Sequence, residues 1–355
     1  MKNIRLLLIV LFGCVSFFYG YFMYFSVPAI SQKQIRDIER KCAKKVVTQS
    51  AECFRHEFQQ IVRTKNLKVI MDSIVASDAK DPSAILDSGL DCHGLSHIIG
   101  ETAGSLRDAR ASTLISACGS SCGYGCTHGV VMGMMKYDPN RINNLETLCK
   151  NSNGMPLSVF DQIACFHGLG HGLAEYTRYD ASAAVARCNT FGTGDAREEC
   201  MTGVFMEVYA PADKNHASIP LPQNLFSDCE GLRDTSLLYC KRMMIVSLYR
   251  VNHEIVTPIR LCHEEVSEKE GDCIHTLGAD AYFVEHEQID KILGLCRLSG
   301  PLYANCVEGV VSSSITIHQD DRQAKEICFA AGEAVSEQCE AYAKHRLQAL
   351  GSTRR

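Results

Sequence analysis

An all-α solenoid of helix-turn-helix repeats, stapled by disulfides and preceded by one transmembrane helix, is the fold class this sequence predicts. Three observations carry it. The cysteines recur in pairs at a helical-repeat period, the segments between pairs split into two helix-length stretches, and one long apolar run stands at the N-terminus.

The apolar run comes first. Lys2 and Arg5 precede a stretch from Leu6 to Phe25, long enough to cross a bilayer as a helix. Its tyrosines Tyr19, Tyr21 and Tyr24 suit the outer interface, and positive residues ahead of a single run imply N-in, C-out topology. Ala29-Ile30-Ser31 offers a signal-peptidase site and Leu11-Phe12-Gly13-Cys14 a faint lipobox. The length of the run, and the apolar residues that follow Cys14, favour an uncleaved anchor. The expected organisation is a cytoplasmic stub over 1–5, a signal anchor over 6–26, an N-terminal helical segment over 32–90, the repeat domain over 91–347 and a flexible tail over 348–355. The chain is then a single-pass protein of the plasma (inner) membrane, with its C-terminal domain extracytoplasmic, in the periplasm.

Cysteine usage agrees with that compartment. The chain carries 19 Cys in 355 residues, mostly without the spacings of zinc modules, which points to an oxidising environment. Setting Cys14 aside in the membrane leaves an even number, as a complete disulfide set requires.

The pairs are Cys42/Cys53, Cys118/Cys126, Cys149/Cys165, Cys188/Cys200, Cys229/Cys240, Cys262/Cys273, Cys296/Cys306 and Cys328/Cys339. From Cys126 onward the second member recurs at intervals of 39, 35, 40, 33, 33 and 33 residues, the period of two-helix repeat arrays. Between pairs, Cys165–Tyr176 is followed by Ala181–Cys188, Ile274–Val284 by Gln288–Cys296, and Val307–Ile317 by Asp320–Cys328. Each repeat therefore has a helix A that starts at a cysteine and a helix B that ends at one, with a break short enough to make them antiparallel neighbours. Pro211, Pro220 and Pro222 interrupt this pattern over Pro211–Asn224. A disulfide from the end of one helix B to the start of the next helix A closes a loop of roughly ten to sixteen residues and contributes about 3 kcal/mol. Cys92 and Cys122 remain and are candidates to pair. Zinc competes for Cys118, Cys122 and Cys126, but the regular pairs around them favour disulfides.

Two-helix units of about 35 residues, each stapled by a cysteine pair, resemble cysteine-rich Sel1-like or tetratricopeptide-like repeat proteins over Lys41 to Lys344. The resemblance is architectural. It implies solenoid geometry and a concave face that binds peptides or partner proteins.

One motif rises above the repeat. His93-Gly94-Leu95-Ser96-His97 continues to Glu101, and His167-Gly168-Leu169-Gly170-His171 continues to Glu175. On a helix, positions i, i+4 and i+8 share a face. His128-Gly129 holds the same place in the intervening unit, so His93, His128 and His167 form a ladder, with His97 and His171 a turn deeper. Neutral imidazoles suit Zn, Cu or Fe, and Glu101 and Glu175 are candidate ligands or proton carriers. The plain alternative is that these imidazoles are polar packing residues at repeat interfaces. The same column continues as Thr202, Arg242, His275 and Glu308, of which His275 and Glu308 are candidates to extend a polar groove. Gly94, Gly129, Gly168, Gly203 and Gly309 recur beside it, as close helix packing requires, whereas Gly170 and Gly172 exceed that pattern. Met132, Met134, Met135, Met201 and Met206 lie near the same helices and read as core, with copper handling as the competing idea.

Composition excludes several classes. An apolar content of 46% supports a sizeable core, and a net charge of −5 lacks the basic footprint of a nucleic-acid binder. No phosphate-binding glycine loop, nucleophile elbow or covalent-haem signature is present. The functional expectation is a membrane-anchored helical-repeat protein that binds a metal for catalysis or metal handling. Its alternative is a non-enzymatic scaffold for an envelope protein or peptide.

Overall fold

The computed structural model describes residues 30–43, 47–64, 66–78, 92–106, 110–138, 148–149, 151–152, 155–157, 159–192, 194–209, 220–285, 288–318 and 320–351. Among these, no helix is long and apolar enough to cross a membrane. The expected stub over 1–5 and anchor over 6–26 lie outside the described residues, as does most of the Pro211–Asn224 interruption.

The described chain is helical apart from a two-residue antiparallel pairing of Asn151–Ser152 with Met155–Pro156. Among the described residues, α1 (Gln32–Ala43), α2 (Val47–Thr64) and α3 (Leu67–Asp78) precede the repeats. The A helices are α4 (Cys92–Gly104), α6 (Gly125–Tyr137), α7 (Val159–Tyr176), α9 (Gly194–Tyr209), α10 (Asp234–Asn252), α12 (Glu270–Val284), α14 (Tyr303–His318) and α16 (Glu333–Gly351). The B helices are α5 (Ala111–Cys118), α8 (Ala181–Cys188), α11 (Val256–Glu265), α13 (Ile289–Arg297) and α15 (Arg322–Ala331). Each A helix from α4 to α14 packs against the next A helix in chain order, and the B helices flank this row.

The two helix classes differ in pattern because they differ in burial. In α13, Ile292, Leu293 and Cys296 are buried while Asp290, Lys291 and Arg297 are exposed, the one-sided stripe of a flanking helix. In α4 every residue from Gly94 to Gly104 is buried, and in α6 every residue from Gly125 to Met135. Helices buried on all sides are central ones. Leu95, Ile98 and Ile99 are fully buried there, each contributing about 1.5–3 kcal/mol of transfer free energy.

Central helices can only be neighbours if their surfaces fit, and glycines provide the fit. A Cβ built on Gly100 would lie 2.1 Å from the Cys126 carbonyl oxygen, and one on Gly129 1.9 Å from that of His97. The same reciprocal contact recurs between Gly170 and Gly203 in α7 and α9, and between Gly278 and Gly309 in α12 and α14. Backbone lies against backbone at these crossings. Gly170, which the sequence pattern leaves over, thus has the same purpose as its neighbours, and Gly172 accommodates the Met135 sulfur.

Nine disulfides staple the fold. All eight spacing-derived pairs form, and Cys92 joins Cys122, so Cys118, Cys122 and Cys126 are not zinc ligands. Two boundaries differ from expectation. Helix A begins before its cysteine, from one residue earlier at Gly125 to six at Asp234, because the disulfide pins the helix side rather than its end. The expected flexible tail over 348–355 is helical as far as Gly351, the end of α16.

Candidate metal centre

The five histidines stand on three adjacent A helices: His93 and His97 on α4, His128 on α6, and His167 and His171 on α7. The glycine contacts set their spacing. Gly129 follows His128 and lies on the His97 carbonyl. Gly168 follows His167, and a Cβ there would come within 2.9 Å of the His128 Cα. The His-Gly pairs therefore bring the backbones close enough for the rings to meet.

The rings form one continuous cluster. Centroids are 4.5 Å apart for His128 and His167, 5.0 Å for His167 and His171, 5.1 Å for His97 and His171, and 5.3 Å for His93 and His128. His128, His167 and His171 make the tightest group, each offering a nitrogen within 4.8 Å of the other two. His97, His128, His167 and His171 are all buried, the most exposed at 8%.

Two rings have their orientation fixed from behind. His171 Nδ1 lies 2.8 Å from Glu207 Oε2, and the carboxylate can only accept, so Nδ1 carries the proton and Nε2 the lone pair. His93 Nδ1 donates to the Cys122 carbonyl at 3.0 Å, with the same result. That carbonyl belongs to a left-handed turn, with φ of 53° at Cys122, 60° at Gly123 and 64° at Tyr124, and the Cys92–Cys122 disulfide ties the turn to α4. Left-handed non-glycine residues cost free energy and persist where the surroundings enforce them.

Burial favours the uncharged form of His97, His128 and His171. Burial pushes His97 and His128 well below the ordinary histidine range, and the neighbouring imidazoles add to the effect. Burial likewise brings His171 down to about 4, against the pull of Glu207. Among the described residues, both nitrogens of His97, Nδ1 of His128, and Nε2 of His167 and His171 are buried without a hydrogen-bond partner. Each such group costs about 1–3 kcal/mol when left unsatisfied. A metal ion can satisfy converging imidazole lone pairs, one from each neutral ring, and neutral imidazole is the protonation state it needs.

Glu101 and Glu175 are placed differently. Glu101 accepts from Arg55 Nε and Nη2 at 3.1 Å and from Lys136 Nζ at 3.1 Å, while Lys136 also pairs with Glu175 at 2.9 Å. Burial works against the Lys136 charge, but the two carboxylates outweigh it and hold the ammonium above its usual range. Neither glutamate is hydrogen-bonded to an imidazole among the described residues. The two form a charge ladder with Arg55 and Lys136 across α2, α4, α6 and α7. The carboxylates beside the rings are Glu207 and, at 3.7 Å from His167 Nδ1, Glu199. Glu207 follows His171 by 36 residues, one repeat, so extending the second histidine column as well as the first reaches its position. Met132, Met134, Met135 and Met201 are buried with the apolar core.

No family model, curated protein or solved structure matches this chain.

Proposed function

We propose that this is a membrane-anchored, extracytoplasmic α-solenoid whose first repeats hold one transition metal ion, Zn, Cu or Fe, through His128, His167 and His171, with His93 and His97 completing or flanking the set. The observation that carries the reading is the convergence of buried imidazoles, several of whose ring nitrogens lack hydrogen-bond partners among the described residues. Glu207 behind His171 is the carboxylate that orients a ligating histidine and raises its basicity. A thiolate-free, nitrogen-rich set suits these metals and disfavours Mg and Ca, which take oxygen ligands.

Burial selects among the roles of such a site. With four of the five rings no more than 8% exposed, a substrate larger than water or dioxygen does not reach the ion. Metal handling, or a structural lock across three repeats, fits this better than turnover of a bulky substrate. In this reading Glu101 and Glu175 are counter-ions of Lys136 rather than proton carriers. Residues 6–26 supply the anchor. An oxidising compartment agrees with nine disulfides that use every cysteine except Cys14.

The test is metal content. The full-length chain, purified in detergent without a His tag, is measured by elemental mass spectrometry beside a His128→Ala/His171→Ala variant of unchanged helicity. Near-stoichiometric metal that the variant loses is the expected result. No metal after reconstitution with Zn, Cu and Fe, or equal metal in the variant, overturns the proposal.

A further inference from the structure

The column that bears His93, His128 and His167 continues through α9, α10, α12 and α14 as Thr202, Arg242, His275 and Glu308, and all four line one cavity of about 490 Å³. That volume falls in the range of small-ligand sites, roughly 300–1,000 Å³. Glu199, which faces His167, also borders it, so the cavity lies next along the wall from the imidazole cluster.

Arg242 is the group that asks for a ligand. Its guanidinium carbon stands 4.0 Å from the centre of the Tyr239 ring, and the Tyr239 hydroxyl is held 2.9 Å from Thr202 Oγ1, which fixes the plane of the stack. Among the described residues no carboxylate forms an ion pair with Arg242, and its Nε is buried without a hydrogen-bond partner. Arg250, two turns further along the same helix, is by contrast closed by Asp280 at 2.6 Å. A planar, pre-oriented fork without a partner is built for a planar anion, and carboxylate matches it.

The rest of the lining decides what that carboxylate belongs to. Glu199, Asp272 and Glu308 border the same cavity. His275 adds no positive charge, since burial, with Arg346 and Arg242 nearby, brings it down to about 4, and its Nε2 lies 3.0 Å from the Tyr342 hydroxyl. Lys269 pairs with Asp272 at 3.6 Å, so the three carboxylates face two cations, and the net negative lining disfavours a phosphate dianion and accepts an ammonium.

We propose that this cavity binds a small zwitterion of the amino-acid class, a free amino acid or a dipeptide, with its carboxylate on Arg242 and its ammonium among Glu199, Asp272 and Glu308. The site adjoins the metal centre through Glu199 and uses none of its imidazoles.

Calorimetric titration of the full chain with the free amino acids, a set of dipeptides, propionate and inorganic phosphate tests this. Saturable binding of an amino acid or a dipeptide is expected, and the arm that binds identifies the source. Arg242→Gln should weaken that binding at least about tenfold with helicity and metal content unchanged. Asp272→Asn/Glu308→Gln, at more exposed positions, should weaken the zwitterion and admit propionate. The proposal is overturned if no zwitterion binds, if phosphate or propionate binds as well as the zwitterion, or if Arg242→Gln binds like wild type. Should Arg242→Gln misfold, the double variant alone decides, and an unchanged preference in it refutes the charge assignment.

Discussion

Adding one methyl group at Gly129 tests whether the helix crossings are what bring the imidazoles together. A Cβ there would lie 1.9 Å from the His97 carbonyl oxygen and 2.7 Å from the Glu101 nitrogen, where ordinary contact begins at 3.4 Å. Both obstacles are backbone in a fully buried helix, so no side chain can swing aside; α4 and α6 must part locally by about 1.5 Å. Overpacking of this kind costs about 3 kcal/mol, which for a chain this size lowers the melting temperature by about 4 °C. The same displacement exceeds the roughly 0.2 Å tolerance of metal–ligand distances, so metal affinity should fall with stability. Gly294→Ala is the control. It sits inside α13 with nothing within 4 Å of its Cβ, so better helix propensity should stabilise by about 0.5–1 kcal/mol. Thermal melts followed by circular dichroism, with metal content measured on the same samples, give both readouts. If Gly129→Ala melts at or above the wild-type temperature and keeps its metal, the glycine crossings do not position the site.

The remaining predictions concern charge. Glu207→Gln weakens the anchor on His171 and should reduce metal affinity about 10–100-fold in a competition assay, with little change in helicity; unchanged affinity would remove Glu207 from the site. The metal-free protein should lose stability on acidification. Burial places the folded values of His97, His128 and His171 below the ordinary 6.5, so between the two values the unfolded chain binds more protons. Stability is then fully present above about pH 6.5 and declines as pH falls toward about 4, His171 alone accounting for on the order of 3 kcal/mol. Urea midpoints at pH 7.5, 6 and 4.5 should fall in that order, and a flat series would contradict neutral burial. Lys136→Met leaves buried Glu101 with Arg55 alone and separates it from Glu175, a loss of about 1–2 kcal/mol given that Lys136 is half exposed. A midpoint equal to wild type would show the ladder to be energetically idle.

The repeat was legible because cysteine spacing is a one-dimensional record of a three-dimensional period. The eight pairs, and the ends of helices such as Ala181–Cys188 and Val284, follow from it directly. Helix starts were not, since a disulfide can pin a helix side at any turn, as Cys240 does six residues into α10. The five histidines were readable through the doubled His-Gly-Leu-x-His motif. Their carboxylate partner was not, because Glu207 belongs to the next repeat and to no local motif, while Glu101 and Glu175 share the histidine face in sequence and are drawn away by Lys136. The purpose of Gly170 and Gly172 likewise depends on the neighbouring helix, which spacing within α7 does not reveal.

X-ray absorption at the metal edge of the purified, reconstituted protein asks whether the imidazole cluster is a metal centre. A first shell of at least three nitrogens at about 2.0–2.1 Å is expected, with the outer-shell signature of imidazole rings and no sulfur. That signature should disappear in His128→Ala/His171→Ala. A sulfur-dominated or oxygen-only shell, or an imidazole shell that survives the double substitution, would contradict a metal centre in this cluster.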